Sequence, residues 1–293
     1  MLFEHDASNL QRNNNILLID FNGVAINALA INPKDLPDKI LTKEIGKHLV
    51  LNMILNVKKQ FRSHKVVICC DSHSWRKSVY PYYKFKRKDI LNNLKVDWKL
   101  IHEIIGEMYT DIKDYFPWMQ IKIEGCEADD IIGTIARYYR DIGEEIIIIS
   151  KDKDFQQLQT YGCKQYNYAT RKWLHCEDPE QFLADQIMAG DQADGVPNIL
   201  SADNCLADGI RQTTLRKAKY DYYKELSLDT STIYHKYWNR NKLMIDLSQT
   251  PKDLRLQIVD EFNLQYNNPK KSRVFDYMYQ NSMINLIEFS GDF

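Results

Sequence analysis

The sequence predicts an α/β protein with a mainly parallel central sheet flanked by helices and a smaller helical C-terminal part. Three observations carry this reading. The short apolar runs ILLI at 16–19, VVICC at 66–70 and IIII at 146–149 read as strands buried on both faces, as in a parallel sheet. Segments of helical periodicity lie between them, so strand and helix alternate. Each run also leads into an aspartate: Asp20, Asp71 and, through Ser150, Asp152. Ligands of such sheets bind beyond the carboxyl ends of the strands, which gives these acids a geometric reason to converge.

In chain order, run 16–19 is a strand ending at Asp20. Residues 43–61 place Ile45, Leu49, Met53, Leu55 and Val57 at mostly three- and four-residue steps and form a helix. Run 66–70 is the second strand, ending at Asp71. Residues 98–115 repeat the helical spacing with Leu100, Ile101, Ile104, Ile105 and Met108. After Glu127, ADDIIGTIARYY is a helix with Ile131, Ile132, Ile135 and Tyr138 facing inward. Run 146–149 is the third strand. Beyond about residue 190 the strand signal fades, and TLRKAKYDYYKEL reads as an amphipathic helix. The chain is therefore divided into a core, 1–190, and a helical region, 191–293.

Composition excludes several classes. With 44 % hydrophobic and 27 % charged residues the chain is ordinary for a soluble globular protein. The N-terminal MLFEHDASNLQRNNN lacks a secretory pattern, and no apolar run approaches the roughly 20 residues that span a bilayer. No membrane association is expected, and the cytoplasm is the expected location. The six cysteines show neither a CxxC pair nor zinc-ligand spacing, and read as small core residues in a reducing compartment.

Nine carboxylates carry the chemistry: Asp20, Asp71, Glu127, Asp129, Asp130, Asp152, Asp154, Asp191 and Asp194. Glu127 and Asp130 share one helix face, with Asp129 beside them. Asp152 and Asp154 alternate by two, so in an extended segment they point the same way. Asp191 and Asp194 fit one helical turn. Acids gathered at strand ends repel unless cations neutralise them, and all-oxygen donors suit hard divalent ions, magnesium or manganese. Two such ions about 4 Å apart activate water and stabilise both oxygens of a phosphodiester displacement.

Four residues on from Asp71, at Trp75, begins WRKSVYPYYKFKRKDI, with Arg76, Lys77, Lys84, Lys86, Arg87 and Lys88 against Asp89 alone, a local net of +5 in a chain of −1. Basic side chains hold phosphates, and the interleaved aromatics, Tyr82 and Tyr83 among them, stack on unpaired bases. An acidic pocket bordered by a cationic, aromatic loop suits a phosphodiester polymer.

LIDFNG, CCDS, EADD, SKDKDF and GDQADGVP, in that order and spacing, together with the YYKFKRK segment, resemble the structure-specific 5′-nuclease (flap endonuclease) superfamily. The resemblance covers most of residues 15–200. It implies a PIN-like nuclease core, a helical arch (about 72–97) over the active site and a duplex-binding helical C-terminal region. Carried over by motif, Asp20, Asp71, Asp129 and Asp152 surround a first metal. Asp154, Asp191 and Asp194 serve a second, partly through water, with Glu127 and Asp130 in support. Lys84 and Arg87 match the arch cations that contact the scissile phosphate. The family implies two magnesium ions, with manganese able to replace them. It also implies a monomer that acts on flaps, nicked or primer-bearing duplexes and RNA–DNA hybrid during replication, in a host's cytoplasm if the chain is phage-encoded. The tail at 284–293 is a candidate dock for a sliding clamp or a single-strand-binding protein.

Two departures stand out. Where relatives have Asp-Asn, this chain has Gly195, and NILSADNCLADGIRQTTLRKAK lacks their Gly-x-Gly-x-Lys pattern. Arg211, Arg216, Lys217 and Lys219 are then candidate phosphate contacts. A haloacid-dehalogenase-like phosphatase is the rival reading of DFNG, but its second acid is Asn22 here and Asp71 would have no role. A PIN-like endoribonuclease is usually shorter and lacks the arch. A non-catalytic nucleic-acid-binding relative would have lost acids that are all present.

Overall fold

The computed structural model describes residues 15–30, 40–63, 65–87, 96–140 and 143–293. Six strands form one sheet in the order β3-β2-β1-β4-β5-β6. β1 (Asn15–Asp20), β2 (Lys65–Cys69), β3 (Met119–Ile121), β4 (Glu145–Ile149) and β5 (Lys164–Asn167) run parallel, and β6 (Lys172–Leu174) closes one edge antiparallel. β1 lies between β2 and β4, with Asp20 level with Cys69 and Ile19 level with Ile149. The chain leaves β1 toward β2 and β3, then returns to β4 on the other side. The carboxyl end of β1 is thus the topological switch point, where such sheets open a crevice.

The central strands β1, β2 and β4 are apolar along most of their length because both faces are covered. Leu17, Ile19, Val66, Ile68, Ile147 and Ile149 face one core, packed by α1 (Phe21–Leu29), α2 (Lys43–Phe61) and α4 (Trp98–Tyr115). Ile16, Leu18, Val67, Cys69, Ile146 and Ile148 face a second core, packed by α5 (Ala128–Tyr138) through Ile131 and Ile135. The period-two alternation of strand side chains divides one apolar run between two cores. α2 and α4 begin at Thr42 and Asp97, whose side chains accept from Ile45 N (3.3 Å) and Leu100 N (3.0 Å). Tyr138, expected to face inward, is half exposed at the end of α5, whose last residues in the second core are Ile135 and Ala136.

After α3 (Arg76–Val79), the segment expected to form the arch runs through turns to Arg87; Lys88 and the rest of 88–95 lie outside the described residues. Beyond α6 (Pro179–Ala189) the chain is helical: α7 (Tyr220–Leu228), α8 (Ile233–Ile245), α9 (Lys252–Asn267), α10 (Val274–Gln280) and α11 (Ile284–Ile287). Ile258 and Phe262 of α9 belong to the second core, and Tyr277 and Met278 of α10 to the first. The tail packs on the first core too, with the Phe293 ring 5.7 Å from Phe116 and 6.0 Å from Trp118. All six cysteines are free thiols, five of them buried. Among the described residues no helix is long and apolar enough to cross a membrane.

Candidate active site

The switch point gathers the acids. Asp20 ends β1 and caps α1, its Oδ1 accepting from Gly23 N at 3.1 Å. A Cβ on residue 23 would stand 2.4 Å from Asp20 Oδ2, so glycine there lets the carboxylate fold over the helix terminus. Ser150, just past β4, donates to Asp20 Oδ2 at 2.8 Å and accepts from Asp152 N at 3.1 Å, tying the two strand ends together. Asp71 Oδ1 accepts from Ala128 N at 2.8 Å, which fixes the end of β2 to the first turn of α5 and sets Asp129 beside it.

Two expectations about local geometry change. Asp152 and Asp154 do not lie on an extended segment. Asp152 caps the 3-10 helix Lys153–Tyr161, accepting from Asp154 N at 2.9 Å, and Gln186 on α6 donates to Asp154 Oδ1 at 2.6 Å. Asp191 and Asp194 do not share a helical turn either. Gly190 ends α6, and Asp191 Oδ1 accepts from Ala193 N (2.8 Å) and Asp194 N (3.2 Å), an Asx turn stabilised by the side chain itself.

The electrostatics are those of crowded like charges. Burial first, then the negative charge of Asp71, pushes the Asp20 carboxyl up to about 6. Burial and Asp152 do the same to Asp154, also to about 6. Asp129 is also raised well above its ordinary value, by burial and by Asp152 and Asp20 against the opposing pull of Lys84. A carboxylate raised in the folded state lowers stability as pH climbs from its unfolded value of 3.8 through about 6. A bound cation relieves that repulsion. Asp129, Asp154, Asp191 and Asp194 border a cavity of about 20 Å³, room for one water-sized occupant. No three His, Cys, Asp or Glu among the described residues already close on one point as ligands. The donor set, all carboxylate oxygen, fits a hard divalent cation.

Glu127 and Asp130, expected with the metal acids, belong to a different network. Both oxygens of fully buried Asp130 are occupied: Arg76 reaches them at 3.0 and 3.1 Å, Trp75 Nε1 at 3.1 Å, Thr250 Oγ1 at 2.8 Å and Glu127 N at 3.0 Å. That carboxylate is a structural anchor with no oxygen left for a metal. Glu127 accepts from Ser74 (2.6 Å), Tyr83 (2.9 Å) and Lys84 (2.7 Å), and Lys84 and Arg76 outweigh its burial to hold its pKa at about 2. Its Oε1 thus holds the Lys84 ammonium.

The basic segment is divided in the same way. Arg76, expected to contact nucleic acid, is 1 % exposed and donates Nε to the Met244 carbonyl at 2.9 Å. Tyr83 is buried with its hydroxyl on Glu127, so it has no face free for a base. Tyr82 is half-buried and edge-on to Tyr80. Lys77, Lys86 and Arg87 are exposed, with Lys86 over the Phe85 ring. Lys77, Lys84 and Arg87 face a cleft of about 580 Å³ that reaches Asp71 and Glu127 and is also lined by Asn22, His73 and His102. The two histidines were missed in the sequence. His73, two residues after Asp71, was within reach of the motif, but His102 comes from α4 and had no local signal.

Lys84 stands between the acids and this cleft. Its Nζ is 2.7 Å from Glu127 Oε1 and 3.5 Å from Asp194 Oδ2, and its N–H donates to the Asp194 carbonyl at 2.8 Å. Lys84 adopts a left-handed φ of 55°, and Gly195 one of 76°. A Cβ on residue 195 would lie 2.4 Å from the Tyr82 carbonyl oxygen and 2.9 Å from the Phe85 ring. This close approach explains why the chain has glycine there. Gly195→Ala should separate the arch base from the 191–196 loop and lower Tm by roughly 5 °C or more. An unchanged Tm would mean the two segments are not clamped together.

The loop after Asp194 is held from α8. Arg240 donates to the carbonyls of Pro197 (2.8 Å), Asn198 (3.1 Å) and Ser201 (3.1 Å), and Asn241 donates to Ile187 and Pro197. These distant side chains had no signal in the sequence. Arg211, Arg216 and Lys219 are exposed on the following segment, and the Lys217 side chain lies outside the described residues.

Residues 15–186 match the family model described as 5′-3′ exonuclease, N-terminal resolvase-like domain. The chain is 28 % identical to ribonuclease H of Enterobacteria phage T4, over 95 % of both proteins. It is 28 % identical to flap endonuclease Xni of Shewanella baltica, over 64 % of this chain and 70 % of that protein. A bacteriophage T5 flap endonuclease crystallised with DNA and metal ions superposes with a TM-score of 0.63 at 18 % identity, over 85 % of this chain and 98 % of that one. At that identity the superposition speaks for a shared fold.

Proposed function

The chain belongs to the 5′-3′ exonuclease family and is a 5′-nuclease, and on that premise we propose how its residues work and on what. The substrate is a duplex with a 5′ flap, a nick or an RNA primer, and the reaction is hydrolysis of a phosphodiester. One observation carries this reading: Lys84 is wedged between the acid cluster and the basic cleft, where a phosphate entering the cleft would meet it.

Asp20, Asp71, Asp129 and Asp152 would hold one divalent cation, and Asp154, Asp191 and Asp194 a second, partly through water. Bound there, magnesium, or manganese in its place, supplies acidified water and neutralises charge on the phosphate. The protein's own residues do the positioning. Ser150 and Gly23 fix the direction of the Asp20 carboxylate. Glu127 and the Asp194 carbonyl aim Lys84, whose ammonium, with Arg87 at the cleft, stabilises charge developing on the phosphoryl oxygens. Specificity is for structure, since the exposed cations of the cleft offer phosphate contacts, which carry no base sequence. The T5 structure solved with DNA and metal ions supports both the substrate class and the cations.

A labelled panel of 5′ flap, nicked duplex, RNA–DNA hybrid and single strand tests this. Cleavage of the first three is expected with magnesium present and none in chelator. Equal cleavage of all four, or cleavage that survives a chelator, would overturn the proposal. Lys84→Ala should lower kcat by about 10²–10³ with substrate Kd changed by less than about threefold. Glu127 keeps Arg76, Ser74 and Tyr83 as partners, so the fold should tolerate the change. The opposite pattern, weak binding with normal kcat, would make Lys84 a docking residue.

A further inference from the structure

A second cavity, of about 550 Å³, is lined by α1, α2, β5 and the β5–β6 turn. Its wall is a stripe of carboxamides. Asn52, Asn56 and Gln60 stand four residues apart on α2, hence one above another along about 12 Å of helix, and Asn27 faces them from α1. Asparagine is a poorer helix former than the leucine, lysine or glutamate usual on an exposed face. Among the described residues Asn27, Asn52 and Asn56 have no side-chain hydrogen bond, so the fold itself makes no use of these amides.

The floor is apolar: Leu49, Met53 and Val57 form the adjoining stripe of the same helix. Across the groove, Arg171 sits in the β5–β6 turn with a left-handed φ of 55°. Tyr168 lines the groove with its hydroxyl buried and unpartnered among the described residues. Trp173, half exposed on β6, packs edge-on to Phe61 and Tyr166 beside the same wall. Asn27 rides on the helix capped by Asp20, and the charges of Asp20 and Asp152 act on Tyr168. The groove therefore adjoins the acid centre.

Carboxamides donate and accept, as nucleobase edges do, whereas phosphate oxygens only accept. A groove that tracked phosphates alone would carry several cations, and this one has Arg171. We propose that it binds an unpaired strand of the nucleic acid substrate, the amides pairing with base edges over the apolar floor and Arg171 taking a phosphate. This rests on the nuclease reading above.

The test is fluorescence anisotropy in chelator with the full chain, using a labelled single-stranded oligonucleotide and a blunt duplex. The double variant Asn52→Leu/Asn56→Leu should weaken single-strand binding at least tenfold, leave duplex binding within twofold, and leave Tm unchanged or raised. Arg171→Gly, which suits the left-handed turn, should weaken single-strand binding about threefold. Equal affinity of wild type and both variants for the single strand would overturn the proposal, as would equal losses for strand and duplex. A mononucleotide that competes as well as the oligonucleotide would also overturn it, in favour of a product site. Cleavage of a nicked duplex, assayed in parallel with magnesium, separates the two readings. Its loss in wild type would sink the nuclease proposal, while normal nick cleavage with unaltered strand binding in the variants would sink only the groove.

Discussion

Replacing Asp129 with Asn should reduce turnover by at least about a thousandfold, a loss of roughly 4 kcal/mol in transition-state stabilisation, while substrate binding stays measurable. The substitution keeps the shape of the side chain and removes one negative charge from a cluster in which Asp20 and Asp152 already push the Asp129 pKa upward. Relief of that repulsion means the variant should fold at least as stably as wild type. A thermal melt run beside the cleavage assay therefore separates chemistry from folding. Turnover within a few-fold of wild type would remove Asp129 from the proposed metal site.

Arg76→Ala should have the largest effect on stability, about 3–5 kcal/mol. Arg76 is almost wholly buried, with its guanidinium on Asp130, Glu127 and the Met244 carbonyl. Truncation leaves Asp130 fully buried with its countercharge gone. It also unties three pieces of chain: the arch base, the first turn of α5 and the end of α8. Chemical denaturation should show the midpoint shifted, and the remaining activity should fall as the arch base loosens. If the loss is under about 1 kcal/mol, the Arg76 network is not what holds these segments together. Asp130→Asn keeps three of the hydrogen-bond geometries and should fall between wild type and Arg76→Ala.

These predictions treat two adjacent aspartates in opposite ways, and that difference was invisible in the motif EADD. Spacing put Glu127 and Asp130 on one helix face; in the structure Glu127 is the extended N-cap of α5 and the two meet in a capping box. Spacing could not say that Arg76 and Thr250, 54 and 120 residues away, occupy that face. The same holds for the basic segment. Its charge count was plain in the sequence, but the burial of Arg76 and Tyr83 depends on α8 and Glu127 folding against them. Gly195, a departure from the family pattern, became intelligible only when the Tyr82 carbonyl was found against it.

Local pattern determined the parallel sheet, the helices at 43–61 and 98–115, and the placing of acids at strand ends. Backbone periodicity and burial on both faces of a strand are written into neighbouring residues. The tertiary structure decided which carboxylates keep oxygens free for a cation, which cations remain in reach of a phosphate, and that an amide-lined groove adjoins the centre. Those outcomes turn on partners brought from distant parts of the chain, because the energy of a buried charge depends on what surrounds it in space.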